Sequence, residues 1–265
     1  MALDINARRN LETDFMKEMI NEEIIVLDHK DCVEILRNYK NIFDFRGVIS
    51  LIWWADKLAH YAFNDDDIPW IISMHGCYEM LLKYPDIDKY FEENVEKMLN
   101  RANKVVYTAE KNKEILEKYN LLDNPKVLKI DNGFLLENYP KKLRSELGIS
   151  DNDFVFGLVA RAIKEKGYIE AIEAINIVNS KLDKKAHLIL VGGSEFINEL
   201  KIKYSSNQYI HFIDEFTEPM EWIGWEELFD VGLLPSYFKS ESLPTVIVEY
   251  LYLGKPVIAT DIAEI

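Results

Sequence analysis

What this 265-residue chain lacks narrows its class before any motif is considered. Two cysteines, Cys32 and Cys77, make neither a disulfide framework nor a metal-ligand spacing, and a reducing, cytoplasmic setting is expected. Positive charge is scarce: 31 Lys and Arg stand against 46 Asp and Glu, for a formal net charge of −15. Binding to nucleic acid needs clustered Lys and Arg to neutralise phosphates, so this balance argues against such a partner. It also disfavours broad docking on an anionic membrane, while leaving a local basic patch open. No apolar run approaches the roughly 20 residues that cross a bilayer. The start, Met1-Ala-Leu-Asp-Ile-Asn-Ala-Arg-Arg9, leads into an acidic amphipathic stretch, so no signal peptide is expected. Short repeats and low-complexity segments are missing too. What remains, 48% apolar and 12% aromatic residues, is ordinary globular material, enough for one large or two medium domains.

Taken in order, the chain alternates between helical and strand-like spacing. Residues 5–21 have helical spacing, and Glu23-Ile-Ile-Val-Leu27 is a short β-rich run. A helix over Cys32–Tyr39 precedes a strand over Gly47–Trp53, then a helix over Ala55–Phe63 and an acidic turn at 64–67. Next come the strand Pro69–Met74 ending in His75-Gly76, a helix over about 86–101, the strand Lys104–Thr108, a helix over 109–119 and the strand Lys126–Ile130. The turn Asp131-Asn-Gly133 and the polar stretch Pro140–Glu146 read as an interdomain connection. A second alternating set then runs from strand Phe154–Ala160 to strand Pro256–Thr260. Between them lie helices over 168–182, 194–204 and 218–229 and strands over 187–191, 209–213 and 231–235. Strands alternating with helices imply α/β architecture with parallel sheets covered on both faces.

The most informative stretch is Phe238-Lys-Ser-Glu-Ser-Leu-Pro-Thr-Val-Ile-Val-Glu249 with Tyr250-Leu-Tyr-Leu-Gly-Lys-Pro-Val-Ile-Ala-Thr260 behind it. Ser242 is placed to N-cap a helix, Pro244 suits its first turn, and Gly254 with Pro256 ends it. Glu241 then sits at the helix mouth and Glu249 about two turns in. The first-turn amides around Leu243, Thr245 and Val246 have no helical partner and, with the helix dipole, make a site for a phosphate. An anion hole flanked by two acceptors for hydroxyls suits a sugar nucleotide. Alone, the same stretch also fits a capped, half-buried helix with two solvated glutamates.

This pattern, Glu241 and Glu249 separated by seven residues with Ser-Leu-Pro inside and Gly-Lys-Pro-Val-Ile-Ala-Thr behind, resembles the C-terminal signature of retaining family-4 glycosyltransferases of GT-B fold (glycosyl transferases group 1). The resemblance covers nearly all of residues 45–265 and implies that Glu241 approaches the donor sugar while Glu249 binds the ribose hydroxyls. It places Arg161 and Lys166, in Gly157-Leu-Val-Ala-Arg-Ala-Ile-Lys-Glu-Lys-Gly167, on the pyrophosphate. Read from the residues alone, two cations just after a buried strand can neutralise a departing nucleoside diphosphate, or be a solvated basic turn, as Lys164 is expected to be. His75 is expected to orient the donor sugar without changing charge, whereas His29, His60, His187 and His211 read as structural. Ser242, Leu243, Pro244 and Thr245 are expected to line the phosphate site, and Gly192-Gly193 to lie near the nucleotide. That pair departs from the family's Gly-x-Gly, and Asp214 stands where the family commonly has Gly. Gly133 is expected to serve hinge geometry. Against the family pattern the chain is expected to be shortened at both ends, entering about two strands late without the usual Gly-rich loop and stopping before the helix that crosses back.

Paired carboxylates also serve glycoside hydrolysis, but a pair across a phosphate-binding helix start, opposite Arg and Lys, suits a donor that already carries its leaving group. No Asp-x-Asp metal triad is evident, so transfer is expected to be metal-independent and to need no cofactor beyond the nucleoside-diphosphate sugar itself. The sequence therefore reads as two Rossmann-like domains, 1–140 on the acceptor side and 141–265 holding the nucleotide sugar, with an interdomain cleft. The resemblance implies transfer of a sugar, with retention, to a carbohydrate or lipid-linked acceptor hydroxyl, in polysaccharide or glycolipid biosynthesis. The setting is cytoplasmic, with membrane association at most peripheral. Two rivals stay open: an epimerase or phosphorylase of the same fold, and a truncated, non-catalytic subunit or binding module.

Overall fold

The computed structural model describes residues 29–43, 45–64, 66–76, 78–79, 89–134, 138–218, 220–239, 241–263 and 265. The helix expected over 5–21 and the run Glu23–Leu27 lie outside them. The chain divides into two compact units, 1–131 and 132–265. The division falls between Asp131 and Asn132, within the turn Asp131-Asn-Gly133.

In the first unit, α1 (His29–Ile42), α2 (Trp53–Phe63), α3 (Lys89–Arg101) and α4 (Lys113–Lys118) alternate with β1 (Val48–Leu51), β2 (Trp70–Met74), β3 (Lys104–Tyr107) and β4 (Val127–Lys129). All pairings are parallel and the order is β1-β2-β3-β4. Trp70, Ile72 and Met74 alternate into a core that includes Phe63, Val95, Leu99 and Leu116, the period-2 signature of a pleated strand. The strand expected over Gly47–Trp53 is shorter than its apolar run: Ile52 takes a positive φ of 71°, which breaks the strand and lets Trp53 open α2. The helix expected over 109–119 is a 3-10 turn, Glu110–Asn112, followed by α4.

A buried polar chain ties this unit together. The Trp70 indole donates to Ser50 Oγ at 2.8 Å, Ser50 Oγ donates to Asp56 at 2.5 Å, and Tyr78 OH donates to the other Asp56 oxygen at 2.7 Å. Burial pushes the Asp56 carboxyl up to about 7, against the opposing pull of the Ser50 and Tyr78 bonds.

The second unit holds β5 (Phe154–Val159), α5 (Tyr168–Lys181), β6 (Ala186–Val191), α6 (Glu195–Lys203), β7 (Ile210–Ile213), α7 (Glu221–Glu226), β8 (Val231–Leu234), α8 (Thr245–Tyr252) and β9 (Val257–Ala259). Its parallel sheet runs β7-β6-β5-β8-β9. Every residue of β6 is buried, as a central parallel strand requires. From β5 the chain first winds outward through β6 and β7, then returns to place β8 on the other side of β5. Strand order reverses there, and in open α/β sheets ligands settle outside the carboxyl ends of the strands at such a reversal.

The loops that follow β5 and β8 flank that point. Tyr250 of α8 is fully buried; it fits because a Cβ at Gly232 on β8 would stand 2.3 Å from its ring. Its hydroxyl accepts from the Val159 amide at 2.9 Å, which pins α8 to the end of β5. No helix among the described residues is long and apolar enough to cross a membrane.

Candidate functional site

After β5 the chain turns through Arg161 and a 3-10 turn, Lys164–Lys166, into Gly167. Gly167 has φ of 80°, and a Cβ there would stand 2.3 Å from the Pro235 carbonyl oxygen. Only glycine lets this loop press against the one leaving β8. That contact brings Lys166 to Glu241: its Nζ donates to both carboxylate oxygens, at 2.7 and 2.9 Å. Ser236 Oγ donates to the same carboxylate at 2.6 Å. Both partners of the ion pair are nearly buried, with side chains 12% and 7% exposed.

Phe238 sits against both cations, its ring centroid 5.3 Å from Lys166 Nζ and 5.8 Å from the Arg161 guanidinium carbon. Arg161 is exposed and has no ion pair among the described residues. The structure therefore brings together Arg161, Lys166 and Glu241, and it separates their roles: one cation is already neutralised and the other is not.

The start of α8 differs from expectation. Ser242 is not its N-cap; that position falls to Pro244, in extended conformation with no side-chain cap, and Thr245 is the first helical residue. The ring of a proline disfavours the α region for the residue before it, so the helix begins only after Pro244 and Ser242 is left too far upstream to cap. Glu249 consequently lies about one turn into the helix, not two. The Ile247 amide donates to the Pro244 carbonyl at 3.2 Å, whereas the amides of Leu243, Thr245 and Val246 make no hydrogen bond among the described residues. Asn132 Nδ2 donates to the Leu243 carbonyl at 3.2 Å, so the Asn132-Gly133 turn holds the loop that feeds the helix.

Gly192 and Gly193 follow β6. Gly192 has φ of 144°, and a Cβ there would stand 1.9 Å from the Ala160 carbonyl oxygen, so this turn packs directly on the end of β5. Tyr168 OH donates to both Ala160 O (2.7 Å) and Val191 O (3.0 Å), holding the two strand ends together. Asp214, where a glycine was expected, forms an ion pair with Lys201 at 2.5 Å.

Glu249 stands in a different environment. It is buried, 8% exposed. Burial raises its carboxyl above the ordinary range, against the lowering effect of Glu226 and Trp222 of α7. Glu226 is fully buried with no well-aligned hydrogen bond to either oxygen. Burial first, and then the adjacent Glu249, hold it up at about 10.

His75 belongs to the first unit, just after β2. Its Nε2 is 3.1 Å from Ser73 Oγ, and burial lowers its readiness to protonate. Gly76 follows with φ of 82°, and Asn112 Nδ2 donates to its carbonyl at 2.8 Å. The histidines expected to be structural include a pair on adjacent strands: His187 Nδ1 lies 2.9 Å from His211 Nε2.

Sequence reasoning missed Ser236, Phe238, Trp222 and Glu226. Ser236 carried a usable signal, being a small hydroxyl just past a strand end and five residues before Glu241. Glu226, in Trp225-Glu226-Glu227, carried none, because nothing in that spacing distinguishes a buried glutamate from its half-buried neighbour. Among the described residues, no group of three or more His, Cys, Asp or Glu is placed to hold a metal ion.

A five-stranded parallel sheet with a cation-lined strand-order reversal, and a glutamate at each end of a seven-residue interval, defines the class: residues 140–265 match the family model described as Glycosyl transferases group 1. That match bears out the resemblance read from Glu241 to Thr260. TuaC of Bacillus subtilis, named as a teichuronic acid biosynthesis glycosyltransferase, is 26% identical over 198 residues, 74% of this chain and 47% of its own length. An uncharacterized glycosyltransferase of Methanocaldococcus jannaschii is 28% identical over 231 residues, 83% of this chain and 50% of its own. The fold is that of GT-B glycosyltransferases: HepE of Anabaena, solved with UDP and glucose, superposes with a TM-score of 0.66 at 19% identity, over 87% of this chain and 63% of that one. The chain thus spans about half the length of the curated relatives it matches.

Proposed function

We propose that this protein transfers a sugar from a nucleoside-diphosphate sugar to an acceptor hydroxyl, with retention and without a metal ion. The observation that carries this reading is the Lys166–Glu241 ion pair, set beside Arg161, which has no ion pair among the described residues, and the amides that open α8, which make no hydrogen bond among them. A diphosphate fits between these groups, with Arg161 and the amides of Thr245 and Val246 supplying donors. Lys166 has three donor hydrogens, so it can meet a phosphate oxygen while still reaching Glu241. In this reading Glu241 exchanges part of that bond for a sugar hydroxyl, and Glu249 accepts from the ribose.

The catalytic work is stabilisation of charge on the departing diphosphate, together with orientation of the two substrates. Donors already aimed at that charge cost no reorganisation when the glycosidic bond to phosphate breaks. His75 is proposed to bond a sugar hydroxyl as a neutral imidazole. Because HepE was solved with UDP, UDP-sugars are the first donors to try, and the name of TuaC directs the search for acceptors to cell-surface polysaccharide precursors. A cytoplasmic enzyme acting at the inner face of a membrane suits such acceptors.

The test is release of nucleoside diphosphate from UDP-glucose and its congeners, with and without a lipid-linked or oligosaccharide acceptor. Acceptor-dependent release, lost in Glu241→Ala and in Arg161→Ala, is the expected result. Unchanged release in both variants, or donor consumption that ignores the acceptor, contradicts the proposal.

A further inference from the structure

His75 is assigned a sugar hydroxyl in the scheme above, yet nothing in its own turn fixes the backbone that carries it. β2 stops pairing with β3 at Met74 and Tyr107. The residue behind His75 is Gly76, at φ 82° with no atom within 4 Å of where a Cβ would stand. Glycine leaves the chain freer than any other residue, so the geometry of this turn must be imposed from outside it. Two buried side chains that follow β3 reach across to it. Thr108 Oγ1 donates to the Met74 carbonyl at 3.1 Å, and Asn112 Nδ2 donates to the Gly76 carbonyl at 2.8 Å. These are the carbonyls on either side of His75. We propose that Thr108 and Asn112 are positioning residues for His75, holding its backbone so that the imidazole meets the donor sugar. The inference rests on the reading of His75 as the group that bonds that sugar.

Asn112 is 0% exposed and uses both ends of its amide: while Nδ2 reaches Gly76, Oδ1 accepts from the Ala109 amide at 3.3 Å. The chain leaving β3 is therefore the anchor to which the turn is tied. Thr108, 4% exposed, has a single hydroxyl hydrogen and directs it to Met74. A carbonyl shielded from water that loses such a donor is left unsatisfied, and the glycine beside it gives the turn freedom to move towards another. At the ring, Ser73 Oγ of β2 lies 3.1 Å from His75 Nε2, and Nδ1 has no hydrogen bond among the described residues. Nδ1 is thus the ring atom turned over to a ligand hydroxyl, and the two bonds to the main chain set where it stands. A misplacement of about 1 Å at an orienting group can cost on the order of a hundredfold in rate, so even a small slackening of this turn is expected to be felt.

Two measurements on the full chain test the proposal. The first needs no nucleotide: NMR of protein carrying isotope-labelled histidine, with the His75 ring signals assigned by their loss in His75→Ala. Thr108→Val, which keeps the shape and removes the hydroxyl, and Asn112→Leu are each expected to shift or broaden those signals while the signals of His60 and His187 stay in place. Thr108→Ser, which restores the hydroxyl, should return them to the wild-type positions. Unmoved His75 signals in both Thr108→Val and Asn112→Leu overturn the proposal. The second is acceptor-dependent release of UDP from UDP-glucose, read beside binding of UDP alone. In this reading His75 meets only the sugar, so Thr108→Val should lower kcat by about tenfold with UDP affinity unchanged, and Thr108→Ser should recover most of the loss. A merely structural role would lower both together, and a kcat equal to that of wild type overturns the positioning role. If wild type releases no UDP, or His75→Ala releases it as wild type does, the reading of His75 falls and the donor role of the clamp with it. The ring signals still decide whether Thr108 and Asn112 hold the turn.

Discussion

The two glutamates of the seven-residue interval belong to the same unit, one in the loop before α8 and one about a turn into it, and their surroundings are opposite. Glu241 meets an ammonium and a hydroxyl, Lys166 and Ser236, at the mouth of the strand-order reversal. Glu249 meets an indole and a second carboxyl, Trp222 and Glu226, against the packed face of α7. One carboxylate is balanced by a cation; the other lies beside a second acid, and burial raises both members of that pair above the ordinary carboxyl range. A cation-balanced carboxylate can exchange partners when a phosphate arrives, whereas Glu249 has no ion pair among the described residues.

The largest effect expected from breaking this contrast is at Lys166. Lys166→Met leaves the Glu241 charge buried without its ammonium partner, and should cost about 3 kcal/mol in chemical denaturation. Adding Glu241→Leu should restore much of that loss, because no unpaired charge then remains. A Lys166→Met protein as stable as wild type would show that the pair is not desolvated in solution.

The second effect separates the two glutamates by pH. Glu226 holds its proton in the folded state up to about 10 and releases it in the unfolded state near 4.5. The folded state therefore binds one more proton between those values, and this group's contribution to stability falls as pH rises from about 4.5 to about 10. Glu226→Gln has no proton to lose, so its melting temperature should decline less steeply than that of wild type between pH 6 and 9 in a matched series of melts. Parallel curves would mean that Glu226 is ionised when folded.

The alternation of strands and helices was legible in the sequence, because spacing and turn residues act locally. The roles given to Glu241, Glu249, Arg161 and Lys166 came from the family resemblance, since their spacing alone also fits a capped helix and a solvated turn. What was not legible depends on contacts distant in sequence. Trp53 sits in a continuous apolar run that reads as strand, and only the positive φ at Ile52 shows where it ends. Ser242 reads as a cap until the effect of Pro244 on Leu243 is weighed. Lys166 bonds a residue 75 positions away, a distance over which no periodicity reports. Glu226 becomes special only when α7 and α8 pack together; its own neighbours in sequence resemble any exposed acidic turn.

The smallest effect on stability is expected at Arg161, exposed and without an ion pair among the described residues, where Arg161→Ala should change folding by less than about 0.5 kcal/mol. That makes it the cleanest probe of the central claim, that the strand-order reversal of the second unit holds a nucleoside diphosphate. The deciding measurement is a thermal-shift titration of the full chain with UDP, GDP and ADP, repeated in Arg161→Ala. Because a ligand that binds only the folded state stabilises it by mass action, saturable stabilisation by one nucleotide, weakened in the variant, is the predicted result. No shift with any nucleotide, or an equal shift in Arg161→Ala, would contradict the claim.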